Sequence, residues 1–91
     1  LDLGYKAVAS EMNHPRLKFL ELEQGAVINH SEEHLVIASP DADEHVIGDV
    51  VYALPMHICP TMALHEKVYV VRDREVTETW DVVARKRIYP L

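Results

Sequence analysis

The sequence predicts a mostly β fold: a small barrel or sandwich of about seven short strands with one or two short helical turns. Twelve Val, five Ile and three Thr supply branched side chains that are stiff about χ1 and pack well on a pleated surface. The apolar runs are four to six residues long, the length of strands rather than helices. Turn-forming residues recur every 8–12 positions, the rhythm of a small all-β domain. A chain of 91 residues, 48% hydrophobic and 26% charged, is a single globular domain over residues 1–91. At this size only roughly 60–65% of the unfolded surface is buried on folding, so stability is modest.

In order, residues 3–9 (Leu-Gly-Tyr-Lys-Ala-Val-Ala) read as an opening strand, with Gly4 a bulge or a point of close backbone approach. Asn13-His14-Pro15 is a turn, Leu17 to Leu22 alternates as a second strand, and Gly25 punctuates it. Ala26-Val27-Ile28 is short and apolar. Ser31-Glu32-Glu33-His34 forms a capped turn into the strand His34–Ala38, and Pro40 to Glu44 is an acidic loop. Ile47-Gly48-Asp49 introduces the most apolar run, Val50 to Leu54, a buried strand closed by Pro55. Pro60 to Glu66 reads as a helical turn with Pro60 at its first position. Val68–Val71 and Val76–Trp80 flank Arg72-Asp73-Arg74-Glu75 as a hairpin in which Arg74 stands where a Gly is expected. Val82 to Ile88 adds a last strand, and Trp80 and Tyr52 read as core aromatics.

Nine basic and fifteen acidic residues give a net charge of −6. The imbalance lies in residues 1–66, with three basic and eleven acidic side chains, whereas 67–91 carry six and four. Such a surface does not suit a phosphate backbone, and Arg85-Lys86-Arg87 is too short a basic run to change that. No stretch approaches the ~20 apolar residues of a membrane span, and no charged leader with an apolar core is present. The chain begins without Met and is expected to be a piece of a longer protein. One cysteine, Cys59, excludes an internal disulfide and every zinc module built on two or more cysteines, and suits a reducing cytoplasm.

The densest chemistry lies in Pro55-Met56-His57-Ile58-Cys59-Pro60-Thr61. In extended backbone, residues two apart face one side ~6.5 Å apart, so His57 and Cys59 can reach one ion. Pro60 disfavours helical backbone at Cys59 and is expected to hold the pair extended. Imidazole plus thiolate suits Zn²⁺ over Mg²⁺ or Ca²⁺, and two protein ligands leave positions open to substrate, as in a catalytic metal. The plain alternative is Cys59 as a small core hydrophobe. His34, beside Glu33, is a candidate substrate-site residue or a surface cap; His65 is a further ligand or a surface group. His14 and His45 lie in polar loops, and His30 has no evident role. Lys6 is a salt-bridged strand lysine or, with a depressed pKa, a Schiff-base candidate.

Taken together, Asp2-Leu3-Gly4-Tyr5-Lys6-Ala7-Val8-Ala9-Ser10, Ser31-Glu32-Glu33-His34, Ile47-Gly48-Asp49, Pro55 to Leu64 and Tyr69-Val70-Val71 resemble, in order and spacing, the C-terminal domain of the D-threonine aldolase and D-serine dehydratase-like enzymes. The resemblance covers nearly the whole chain. It implies an absent N-terminal alanine-racemase-like barrel that binds pyridoxal phosphate (PLP), a homodimeric parent, and a small D-amino acid substrate. His57 and Cys59 fall on the family's two metal ligands, for Zn or Mn, while Lys6 falls in the opening motif and is not the Schiff-base lysine. The implied chemistry pairs PLP with a Lewis-acidic metal at the substrate's β-hydroxyl. Two outcomes stay open: an aldolase yielding glycine and an aldehyde, which the opening motif favours, and a dehydratase yielding a 2-oxo acid and ammonia, which His-x-Cys favours. Leu35 stands where many relatives have Gly after the Glu-His pair, which weakens the transfer of a site role to His34. Outside the resemblance stand two further readings: a non-catalytic β module docking or dimerising through its acidic face, and a small-molecule carrier with an enclosed apolar pocket.

Overall fold

The computed structural model describes residues 1–22 and 25–90. The fold is mostly β, as the branched residues predict, but its strands form three separate antiparallel pairs and no closed barrel among the described residues. Among the described residues the six strands are β1 (Leu17–Phe19), β2 (Ala26–His30), β3 (Leu35–Ala38), β4 (Ala53–Pro55), β5 (Lys67–Arg72) and β6 (Glu75–Asp81). One short helix, α1 (Ile58–Met62), precedes β5, and 3₁₀ turns occupy Ala42–Glu44 and Val83–Arg85.

β1 pairs with β4 in the register Leu17↔Pro55, Lys18↔Leu54 and Phe19↔Ala53. β2 pairs with β3 across a bulge between Val27 and Asn29. The core gathers where these two pairs meet: Phe19, Leu22 and Leu35 are buried, with Leu3, Leu17, Val27, Ile37, Val51 and Ala53 packed around them.

The expected opening strand is not a strand. Leu1 accepts the Leu35 amide through its carbonyl (2.9 Å), and the amides of Tyr5 and Lys6 donate to the carbonyls of Ser31 (2.9 Å) and Glu32 (3.2 Å). The chain then turns tightly, the amides of Ala7 (2.9 Å) and Val8 (3.3 Å) both reaching the Gly4 carbonyl. Gly4 is the expected point of close approach. A Cβ there would lie 2.0 Å from the Glu32 carbonyl oxygen, with no flexible side chain to give way. Gly48, at φ 101°, occupies a backbone region that side-chain-bearing residues avoid, in the turn where Asp49 N–H donates to the Val46 carbonyl.

The β5–β6 hairpin forms where expected, with its turn at Asp73 (φ 51°) and Arg74 (φ 66°). Left-handed backbone at both central residues matches the twist of the flanking strands, which is why a Gly is usual there. The hairpin stands away from the body, and every residue of β6 is exposed. The radius of gyration is accordingly 15.2 Å, against ~12 Å for a compact chain of this length. Trp80 and Tyr52, expected in the core, are 54% and 61% exposed. Val82 to Ile88 holds a 3₁₀ turn in place of the expected strand. None of the described helices is long and apolar enough to cross a membrane.

Candidate metal centre

His57 lies at the boundary between β4 and α1, its backbone still extended (φ −121°, ψ 96°), and Ile58 begins the helix. Cys59 therefore sits in the first helical turn, not in extended backbone as Pro60 suggested. Pro60 occupies the third helical position, where it displaces nothing, because the first amides of a helix have no intrahelical partner. At the far end of the helix the Ala63 N–H donates to the Cys59 carbonyl (3.2 Å). The pair consequently flanks a helix start and does not share a strand face. Both side chains are reachable from solvent: His57 is half-exposed, and Cys59 is exposed, which removes its reading as a core hydrophobe.

The His57 ring is held by a residue from the far end of the sequence. Its Nδ1 lies 2.6 Å from Oε1 of Glu11. An ionised carboxylate only accepts hydrogen bonds, so Nδ1 carries the proton and the neutral ring keeps its lone pair on Nε2. The scaffold behind this contact is buried. Thr61 Oγ1 accepts the Ala9 amide (3.0 Å), and its hydroxyl donates to the His57 carbonyl (2.9 Å). His65 completes the clamp, its Nε2–H donating to the Ala7 carbonyl (2.8 Å). Residues 7–11 and the start of α1 thus form one unit.

The chemistry of this donor set fits a borderline-soft divalent cation such as Zn²⁺: an imidazole with Nε2 open and an exposed thiol two residues on. No group of three or more His, Cys, Asp and Glu is arranged to hold a metal among the described residues.

The other sequence-derived candidates lie elsewhere. Lys6 Nζ is held by Glu33 (2.7 Å) and Glu32 (3.2 Å). Hydrogen bonding to Glu33 and then Glu32 raises the Lys6 pKa, the opposite of what a Schiff-base lysine needs. His34 is exposed at the β2–β3 turn, 3.8 Å from Asp2 Oδ1. His30, which the sequence left without a role, locks the opening segment: Arg16 donates to its Nδ1 (2.9 Å) while its Nε2–H donates to the Leu3 carbonyl (3.1 Å). Burial, and then the Arg16 charge, lowers its pKa. The apolar cavity of ~270 Å³ lined by Leu22, Leu35, Ile37, Val46 and Val51 is open to solvent, unlike the enclosed pocket a carrier needs.

Glu11 was invisible in the sequence because its partner lies 46 positions away. Thr61 carried a weak signal, since a threonine four residues after a potential cap often bonds back to that carbonyl.

Residues 1–71 match the family described as "Putative serine dehydratase domain". A D-threonine aldolase of Arthrobacter sp is 33% identical over 85 residues, covering 93% of this chain and 22% of the aldolase. Uncharacterized proteins of Mycobacterium bovis and Mycobacterium tuberculosis are 32% identical over 94 residues, covering 93% of this chain and 67% of theirs. The chain therefore spans less than a quarter of the aldolase it matches. No solved structure matches it.

Proposed function

The chain belongs to the serine dehydratase domain family, and from that premise we propose that it is the metal-bearing domain of a PLP- and divalent-metal-dependent lyase. Its substrates are D-threonine-type β-hydroxy-D-amino acids, cleaved to glycine and an aldehyde. The relative named D-threonine aldolase, aligned over 93% of this chain, supports that substrate class. The observation that carries the metal role is the His57 ring, fixed by Glu11 at Nδ1 and open at Nε2, two positions before an exposed thiol.

In this reading His57 and Cys59 hold Zn or Mn, the thiolate favouring Zn. A cation there supplies Lewis acidity toward the substrate's β-hydroxyl, and PLP carried by an N-terminal barrel domain supplies the electron sink for the bond broken at Cα. The chain's own residues hold and orient: Glu11 and Thr61 fix the His57 ring and backbone, and His34, with Asp2 nearby, is the substrate-side imidazole. The barrel is the domain's partner in a homodimeric, cytoplasmic enzyme. Apolar side chains such as Ile47, Val50 and Tyr52, 106%, 69% and 61% exposed, support an extensive covered interface.

A dehydratase reading is favoured by Cys59 itself and by the family's description. Product analysis separates the two: D-threonine to glycine and acetaldehyde, or D-serine to pyruvate and ammonia. In the enzyme that carries the barrel, His57→Ala and Cys59→Ala should each abolish turnover while the cofactor's absorbance stays intact. Full activity in both variants would remove the metal role.

A further inference from the structure

We propose that Glu11 is the positioning residue of the metal site: it selects which nitrogen of His57 faces the cation and strengthens that nitrogen as a ligand. The inference rests on the metal-binding reading of His57 and Cys59 and adds a residue to it. Three observations carry it.

The first is the contact itself, 2.6 Å between His57 Nδ1 and Glu11 Oε1. A histidine that ligates through one nitrogen commonly donates its other N–H to a carboxylate or carbonyl, which fixes the tautomer and ring orientation and raises ligand basicity. The second is that Glu11 is delivered by a built scaffold. Ala9, two residues before it, is buried and donates to Thr61 Oγ1, while Thr61 in turn donates to the carbonyl of His57. On the other side, Arg16 Nε donates to the Met12 carbonyl (2.7 Å), so the segment bearing Glu11 is held from both directions. The third is that this arrangement has little structural value of its own. The two side chains are 48% and 47% exposed, and an exposed ion pair contributes little to folding. A carboxylate brought across 46 residues to an exposed imidazole is therefore better accounted for by what it does to the ring than by what it does for the fold.

Zn²⁺ titration of the 91-residue chain by calorimetry, beside ring ¹⁵N shifts of His57, tests this without any turnover assay. Glu11→Gln should keep the native far-UV circular dichroism and bind Zn²⁺ about 10–100-fold more weakly, because its amide oxygen still accepts Nδ1–H but lacks the charge that raises the ring's basicity. Glu11→Asp should recover part of the affinity, because it restores the charge and an acceptor at shorter reach. Zinc affinity in Glu11→Gln within twofold of wild type would overturn the role of Glu11 and leave His57 and Cys59 as ligands. Absence of zinc binding by the wild type would overturn both. Should Glu11→Gln not fold, the wild-type spectrum decides: an Nε2–H tautomer at His57 overturns the inference, and an Nδ1–H tautomer supports it.

Discussion

Replacing Gly4 with alanine should unfold much of this domain's margin, although the change adds a single methyl group. The methyl carbon would lie 2.0 Å from the Glu32 carbonyl oxygen, 2.2 Å from its carbon and 2.3 Å from the Glu33 amide nitrogen. Ordinary carbon contacts need roughly 3.5 Å. All three neighbours are backbone, so the opening segment and the β2–β3 turn must separate. Separation breaks the bonds from Tyr5 N–H to Ser31 and from Lys6 N–H to Glu32. Overpacking costs about 1–3 kcal/mol and each lost bond about 1 kcal/mol. Loss of glycine's freedom in the unfolded chain returns about 0.4–1 kcal/mol. The net is a loss of about 2–5 kcal/mol from a total expected near 5–14 kcal/mol for 91 residues. Thermal melting followed by far-UV circular dichroism should show Tm lower by roughly 10–25 °C. The sign is the discriminating feature. If Gly4→Ala melts at or above the wild-type temperature, only the unfolded-state term has acted, and the close approach of the two segments is wrong.

Arg74→Gly should stabilise the β5–β6 hairpin by about 1 kcal/mol, because Arg74 sits at φ 66°; slower amide exchange across that ladder is the readout, and unchanged exchange would argue against a strained turn. The lowered pKa of His30 sets a pH response. Its folded pKa lies below the ordinary imidazole value of about 6.5, so between the two the unfolded state binds more protons and stability rises with pH. Stability should therefore be full above pH ~6.5 and decline as pH falls toward the folded pKa, and His30→Gln should flatten that part of the profile. A profile unaltered by the substitution would place the acid sensitivity elsewhere.

Local chemistry was the legible part of the sequence. The β5–β6 hairpin and strand β3 follow from neighbouring residues and are readable from them, and Gly4 is readable as a point of close approach, although the segment that approaches it, at Glu32, lies far along the chain. Residues 3–9 read as a strand from their apolar, branched composition, which reports burial and not whether the backbone pairs. Here Val8 and Ala9 are buried by a turn packed against α1. Pro60 misled for a different reason. The steric preference of a residue before proline for extended backbone is overridden at Cys59 by the helix start, where the absent amide of Pro60 itself costs no helical bond. The proposed ligands His57 and Cys59 are readable as a short motif, yet the contacts of Glu11 with His57 and of Thr61 with Ala9 span 46 and 52 residues of sequence. Tyr52 and Trp80 look like core residues to any hydrophobicity argument. Their exposure is a property of how little of this surface the domain itself covers.

The sole tryptophan has a practical consequence. Trp80 sits on β6 opposite Val68, in the ribbon that stands apart from the Phe19–Leu22–Leu35 cluster. Intrinsic fluorescence is thus a gauge mounted on the periphery. It registers fraying of that ribbon, or its capture by another surface, while the centre of the molecule can melt or stay intact without moving the needle. A denaturation curve taken by emission and one taken by circular dichroism should consequently part company, and their divergence measures how loosely the two portions are yoked.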